Sequence, residues 1–85
     1  MRLGQGKLAV GAAEAAVRRD PQDWEYRYAL ALVRGSQRED PRADAGRALD
    51  LNPLQPEARE AVKAFATRRP AFWERRARRL PLYLK

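Results

Sequence analysis

The chain contains no cysteine and no histidine, a single serine and a single threonine. Without cysteine there is no disulfide, and without either residue there is no conventional structural zinc site. The commonest general acid–base, nucleophilic and metal-binding groups are missing as well. Ser36 falls in a polar turn with no base to activate it, so catalysis is not expected. Long apolar runs are also missing. The longest inside a predicted helix is Tyr28 to Val33, far below the roughly 20 residues of a membrane span. The start, MRLGQGKLAV, lacks the apolar stretch of a secretory signal. The absence of cysteine fits a cytoplasmic location. At 85 residues the chain is expected to form one small domain with a thin core.

Charge is plentiful but unevenly placed. Residues 1–67 hold 11 Lys/Arg against 10 Asp/Glu, whereas residues 68–85 hold 7 against 1. The net charge of +7 therefore belongs almost wholly to the C-terminal segment, and the rest is an ordinary mixed-charge surface. This divides the chain into a helical body, 1–67, and a basic helix and tail, 68–85.

Punctuation and periodicity predict helices throughout. Gly4 and Gly6 predict a flexible start. Leu8 to Arg19 is alanine-rich, with Ala9, Ala13, Ala16 and Val17 on one face. Asp20-Pro21 reads as an N-cap followed by a first-turn proline, opening a helix to Arg34. That helix carries two apolar stripes, Trp24/Tyr28/Ala31/Leu32 and Tyr26/Leu30/Val33, and should be covered on two sides. Gly35 is expected just past its end. A second Asp-Pro, Asp40-Pro41, opens a helix to Leu51 that buries Ala45, Ala48 and Leu49. Pro56 opens a helix over 57–67 with Ala58, Ala61, Val62, Phe65 and Ala66 on one stripe. Pro70 opens a last helix to Arg79, with Phe72, Trp73 and Ala77 as its apolar contacts. Residues 82–85 should be extended.

The pattern repeats. Ala9, Ala13 and Ala16 precede Pro21 by the same 12, 8 and 5 residues that separate Pro41, Ala45 and Ala48 from Pro53. Pro21 and Pro53 are 32 apart, against about 34 in tetratricopeptide repeats. With ALDLNP (Ala48 to Pro53) and the pair Leu30-Ala31 in matching places, residues 8–67 resemble the tetratricopeptide-repeat family. Pro41 stands where that family has a small alanine, and Arg27 where it favours tryptophan. Only one repeat is complete, as in a fragment of a larger array. WEYRYALALVRG and DPRADAGRALDLNPLQP also resemble the repeat-like tails of bacterial O-antigen-ligase-type membrane proteins. That resemblance implies association with a membrane through a parent protein.

These resemblances imply an all-α fold of antiparallel, right-handed hairpins, one and a half to two repeats plus the basic helix. They also imply a non-catalytic protein–protein interaction or scaffolding module, binding a protein partner or a second copy. No cofactor, metal or small-molecule substrate is expected. Counted from Pro21, the family's concave face falls at Glu25, Tyr28 and Leu32. Burial of an exposed face through Tyr26, Tyr28, Leu30 and Leu32 would supply the binding. Core packing is the simpler assignment for Tyr28 and Leu32. The competing surface is basic: Arg68, Arg69, Arg75, Arg76, Arg78, Arg79 and Lys85, with Trp73 and Tyr83 among them. It would attach to nucleic acid or an anionic membrane, unless it is only a solvated end-cap. Gly4-Gln5-Gly6-Lys7 has the wrong spacing for a phosphate loop.

Overall fold

A computed structural model describes residues 3–81, and Lys85, Tyr83 and the extended reading of 82–85 lie outside it. Five helices follow one another: α1 (Leu3–Arg19), α2 (Trp24–Ser36), α3 (Arg42–Leu51), α4 (Pro56–Ala64) and α5 (Pro70–Ala77). Among the described residues there is no strand, and the fold is all-α.

The helix ends follow local chemistry. α1 begins at Leu3 rather than Leu8, so Gly4 and Gly6 are helical and not a flexible start. Gly6 is buried, and a Cβ there would meet the Gln37 side chain. Tertiary packing outweighs glycine's poor helix propensity. Asp20-Pro21 forms a turn, with the Asp23 N–H donating to the Asp20 carbonyl at 3.2 Å. The cap of α2 is therefore Asp23, whose carboxylate accepts from the Glu25 N–H at 2.9 Å. The helix starts three residues later than Asp-Pro suggests. At its other end Gly35 is inside the helix. Arg38, at φ 59°, takes the left-handed position expected of Gly35. The Glu39 N–H donates to the Arg34 carbonyl at 2.9 Å and the Arg38 N–H to the Gly35 carbonyl at 3.0 Å, which is a Schellman stop. Before α3 the Asp40 carboxylate accepts from the Arg42 N–H at 3.0 Å. α4 ends at Ala64, short of the predicted Thr67. The Thr67 hydroxyl and carbonyl are engaged by the Arg69 N–H and the Trp73 indole, at 3.3 and 2.8 Å. Such local bonds compete with a further helical turn.

α2 is the middle of the molecule and touches all four other helices, while α1 packs on α2 alone among the described residues. The two stripes of α2 divide as their periodicity implies. Tyr28, Ala31 and Leu32 enter one core with Ala45, Ala48, Ala58, Ala61, Phe65, Trp73 and Ala77. Leu30 enters a second core with Val10 and Val17 from α1, flanked by Tyr26 and Val33. Each large side chain so buried contributes about 1.5–3 kcal/mol. Gly35 supplies a close approach: a Cβ there would lie 3.0 Å from the Phe65 ring and 3.4 Å from the Trp73 carbonyl.

Charges set the register between helices. Arg34 of α2 donates to Glu14 of α1 at 2.7 Å and to Asp44 of α3 at 2.6 Å. Asp44, a buried carboxylate at 4% exposure, also accepts from Arg27 at 3.4 Å. Desolvation alone would lower the Arg34 pKa. The bonds and charges of Asp44 and Glu14 outweigh it, so the pKa rises above its ordinary value and the cation is secure.

Three outcomes are expected from denaturant unfolding. Gly35→Ala should cost about 1–3 kcal/mol because the Phe65 ring must move, whereas Gly46→Ala in α3, where the added carbon meets nothing within 4 Å, should stabilise by about 1 kcal/mol. Asp44→Ala should cost on the order of 2 kcal/mol, less than for a wholly buried pair because Arg27 and Arg34 each keep 27% side-chain exposure.

Candidate functional site

The apolar residues proposed to face a partner do not form a free surface. Tyr28, Leu30 and Leu32 are 1%, 3% and 3% exposed. The expectation that they form an exposed binding face is corrected: α5 and α1 cover them. Trp73 and Ala77 of α5 join the Tyr28/Leu32 core. The Tyr28 hydroxyl donates to the Pro81 carbonyl beyond α5. Leu30 packs on Val10 and Val17, with Tyr26 half-buried beside it. Glu25 is half-buried at an open hollow of about 350 Å³ with Trp24, Gln55 and Glu57. The five residues are thus split between two cores and a surface hollow, because consecutive stripes of one central helix point to opposite sides of it.

The arginines are sorted differently. α5 has only eight residues, and its buried side is taken by Trp73 and Ala77. Trp73 is fixed from two directions. Its indole N–H bonds to the Thr67 carbonyl at 2.8 Å, and the Arg42 guanidinium lies 5.6 Å from its ring. With that side inward, Arg68, Arg69, Arg75, Arg78 and Arg79 are exposed, and Arg76 is half-buried. Arg78 pairs with Glu74 at 3.0 Å. Arg76 donates to the Ala64 carbonyl at 2.9 Å, capping the C-terminal end of α4, where a cation suits the helix dipole. Arg68, Arg69, Arg75 and Arg79 form no ion pair with a carboxylate among the described residues.

Three guanidinium groups converge on one ring. Those of Arg75, Arg76 and Arg69 lie 5.0, 5.2 and 5.7 Å from the centroid of half-buried Phe72. On its other flank Arg76 lines an open hollow of about 370 Å³ with Arg79, Leu80 and α4 residues Glu60, Lys63 and Ala64. A basic strip thus runs from Arg69 and Arg75, past Phe72 and Arg76, to Arg79 and Lys63. Glu60 is the carboxylate beside it.

No protein-family model, curated protein or solved structure matches the chain. No described helix is long and apolar enough to cross a membrane. The functional reading therefore rests on the surface itself.

Sequence reasoning grouped the arginines but missed Phe72 and Lys63 as members of the surface. Phe72 was legible in retrospect. Arg69, Arg75 and Arg76 stand three before, three after and four after it, the spacings that bring helical side chains together. Lys63 is distant in the chain from Arg76 and Arg79, and only the packing of α5 beside α4 places it near them.

Acidic side chains just before α3 and on α5 anchor neighbouring cations. Asp40 has its pKa lowered, first by the side-chain hydrogen bond from Arg42. Glu74 is lowered first by Arg38, 2.7 Å away, and then by the charges of Arg38 and Arg78. Because the folded values lie below the unfolded ones, the unfolded chain takes up protons first as pH falls. Their stabilisation is complete above about pH 4, the ordinary carboxylate range, and is lost as pH drops through the folded values. With no histidine, the thermal midpoint should be flat between about pH 5 and 8 and fall below about pH 4. Asp40→Asn should reduce that acid-side loss in a melting series.

Proposed function

We propose that this chain is a non-catalytic helical interaction module that docks an anionic partner through α5 and the segment leading into it. One observation carries the reading: with Trp73 and Ala77 in the core, the guanidiniums of Arg68, Arg69, Arg75 and Arg79, which form no ion pair among the described residues, are left on one short stretch of surface. Such a surface works by Coulombic attraction and displacement of counterions, so its affinity falls steeply with salt.

The tetratricopeptide-like reading of the framework has its support in the first steps of the packing. α2 packs on α3 and α3 on α4, the succession a stack of hairpins requires. α5 then returns to α2, and its Trp73 and Ala77 cover Tyr28 and Leu32. That return is why the basic surface is preferred to the apolar face of α2.

A protein–protein or self-association role of the repeat type is the second reading. It is favoured by α1, which among the described residues packs on α2 alone and leaves Leu8 75% exposed.

Elution from an immobilised sulfated polyanion in a salt gradient tests the first reading. Replacement of Arg68, Arg69, Arg75 and Arg79 by Gln should move elution to much lower salt. Replacement of four exposed cations of the body, Lys7, Arg18, Arg19 and Arg47, removes the same charge and should move it little. Equal shifts would reduce the binding to net charge and defeat the proposal.

A further inference from the structure

Resting on that reading, we infer that the anionic partner is single-stranded nucleic acid, held by its phosphates on the Arg69/Arg75/Arg76 cluster with a base stacked at Phe72. The three guanidinium carbons all lie within 5.7 Å of one ring centroid. No two are therefore further apart than the sum of two such distances, about 11 Å. Arg69 and Arg75 form no ion pair among the described residues, and Arg76 spends one donor on the Ala64 carbonyl. Like charges at this separation repel unless an anion is between or beside them. A phosphodiester supplies that anion, and the guanidinium fork matches its oxygens.

The ring chooses among polyanions. A sulfated chain, or an acidic peptide without aromatic side chains, satisfies the cations but has no flat ring to place against Phe72. Unpaired bases do, because every base offers a π-face to an aromatic ring or to a guanidinium plane. Duplexes fit poorly. Their bases are already stacked, and α5, eight residues long and bound to α2 along its Trp73/Ala77 side, is not free to enter a groove. A bilayer also fits poorly. An interfacial helix inserts its apolar face, and that of α5 is already in the protein core, with Trp73 at 6% and Ala77 at 7% exposure. The strip continues past Arg76 to Arg79 and Lys63, giving the backbone a path beyond the first base. Among the described residues no array of side chains is placed to read base edges, so binding is indifferent to sequence apart from stacking strength.

Fluorescence anisotropy on the full chain at low salt tests the inference with four probes: a labelled oligothymidylate, an abasic strand of equal length, a duplex, and vesicles of phosphatidylserine in phosphatidylcholine. The oligothymidylate should bind about tenfold tighter than the abasic strand, the difference a stacked base makes, and tighter than the duplex and the vesicles. Phe72→Leu should remove most of that tenfold and leave abasic binding unchanged, and Phe72→Tyr should restore it. Arg69→Gln with Arg75→Gln should weaken both strands alike. Equal affinity for the oligothymidylate and the abasic strand, measured on the unaltered chain, would overturn the base-stacking inference while leaving the polyanion module standing. Preference for vesicles would transfer the surface to a membrane and overturn it too. Failure to bind any of the four would defeat the inference and the module reading together.

Discussion

Everything in this protein depends on the burial of α2 on two sides. A helix with one apolar stripe needs one neighbour; α2 has two stripes and is satisfied only between two groups of helices. Tyr28 and Leu32 are completed by α3, α4 and α5, and Leu30 by α1. Neither group has a large core of its own. The buried residues opposite α2 are mostly alanines, with Phe65 and Trp73 as the large side chains. Small side chains let the helices come close, and Gly35 lets Phe65 and the α5 backbone come closer still. Directional charges then select one arrangement, since Arg34 reaches Glu14 on one side and Asp44 on the other.

The basic surface is a consequence of that packing. α5 is held by Trp73, Ala77, the Glu74–Arg38 ion pair and the bonds at its two ends. Those anchors suffice to fix which side is inward. Once Trp73 lies over Gly35 with its indole bonded to Thr67, the arginines at other positions of the helix have nowhere to go but solvent or the flanking grooves. Arg76 illustrates the coupling, because one guanidinium caps α4, borders Phe72 and lines the hollow towards Lys63. Fold stability and the charge pattern of the surface thus share residues, and the cluster is positioned by the helix ends rather than by a flexible loop.

Much of the helical architecture was readable because helix signals are local. Proline in the first turn, alanine-rich runs and apolar spacing of three and four marked every helix of the structure. The errors were also local in kind. Asp20 and Asp23 are both good caps, and the chain uses the second because Asp20-Pro21 closes a turn first. Gly35 is a good helix stop by itself, but its place against Phe65 gives it a packing role, and Arg38 takes the strained position. Thr67 could have continued α4, but the indole of Trp73 and the Arg69 amide claim it for a turn.

By itself the sequence determined that this is a chain of short helices without the usual groups for catalysis, carrying its excess positive charge in its last eighteen residues. These are matters of residue type and near-neighbour spacing. Only the tertiary structure decided that Tyr28, Leu30 and Leu32 are core and not a binding face. It also placed three arginines around Phe72 and brought Lys63 to the end of their strip. Such facts depend on where α5 lies relative to α2 and α4. That placement is chosen by the fit of Phe65 and Trp73 against Gly35, residues separated by up to 38 positions in the chain, and no local pattern encodes it.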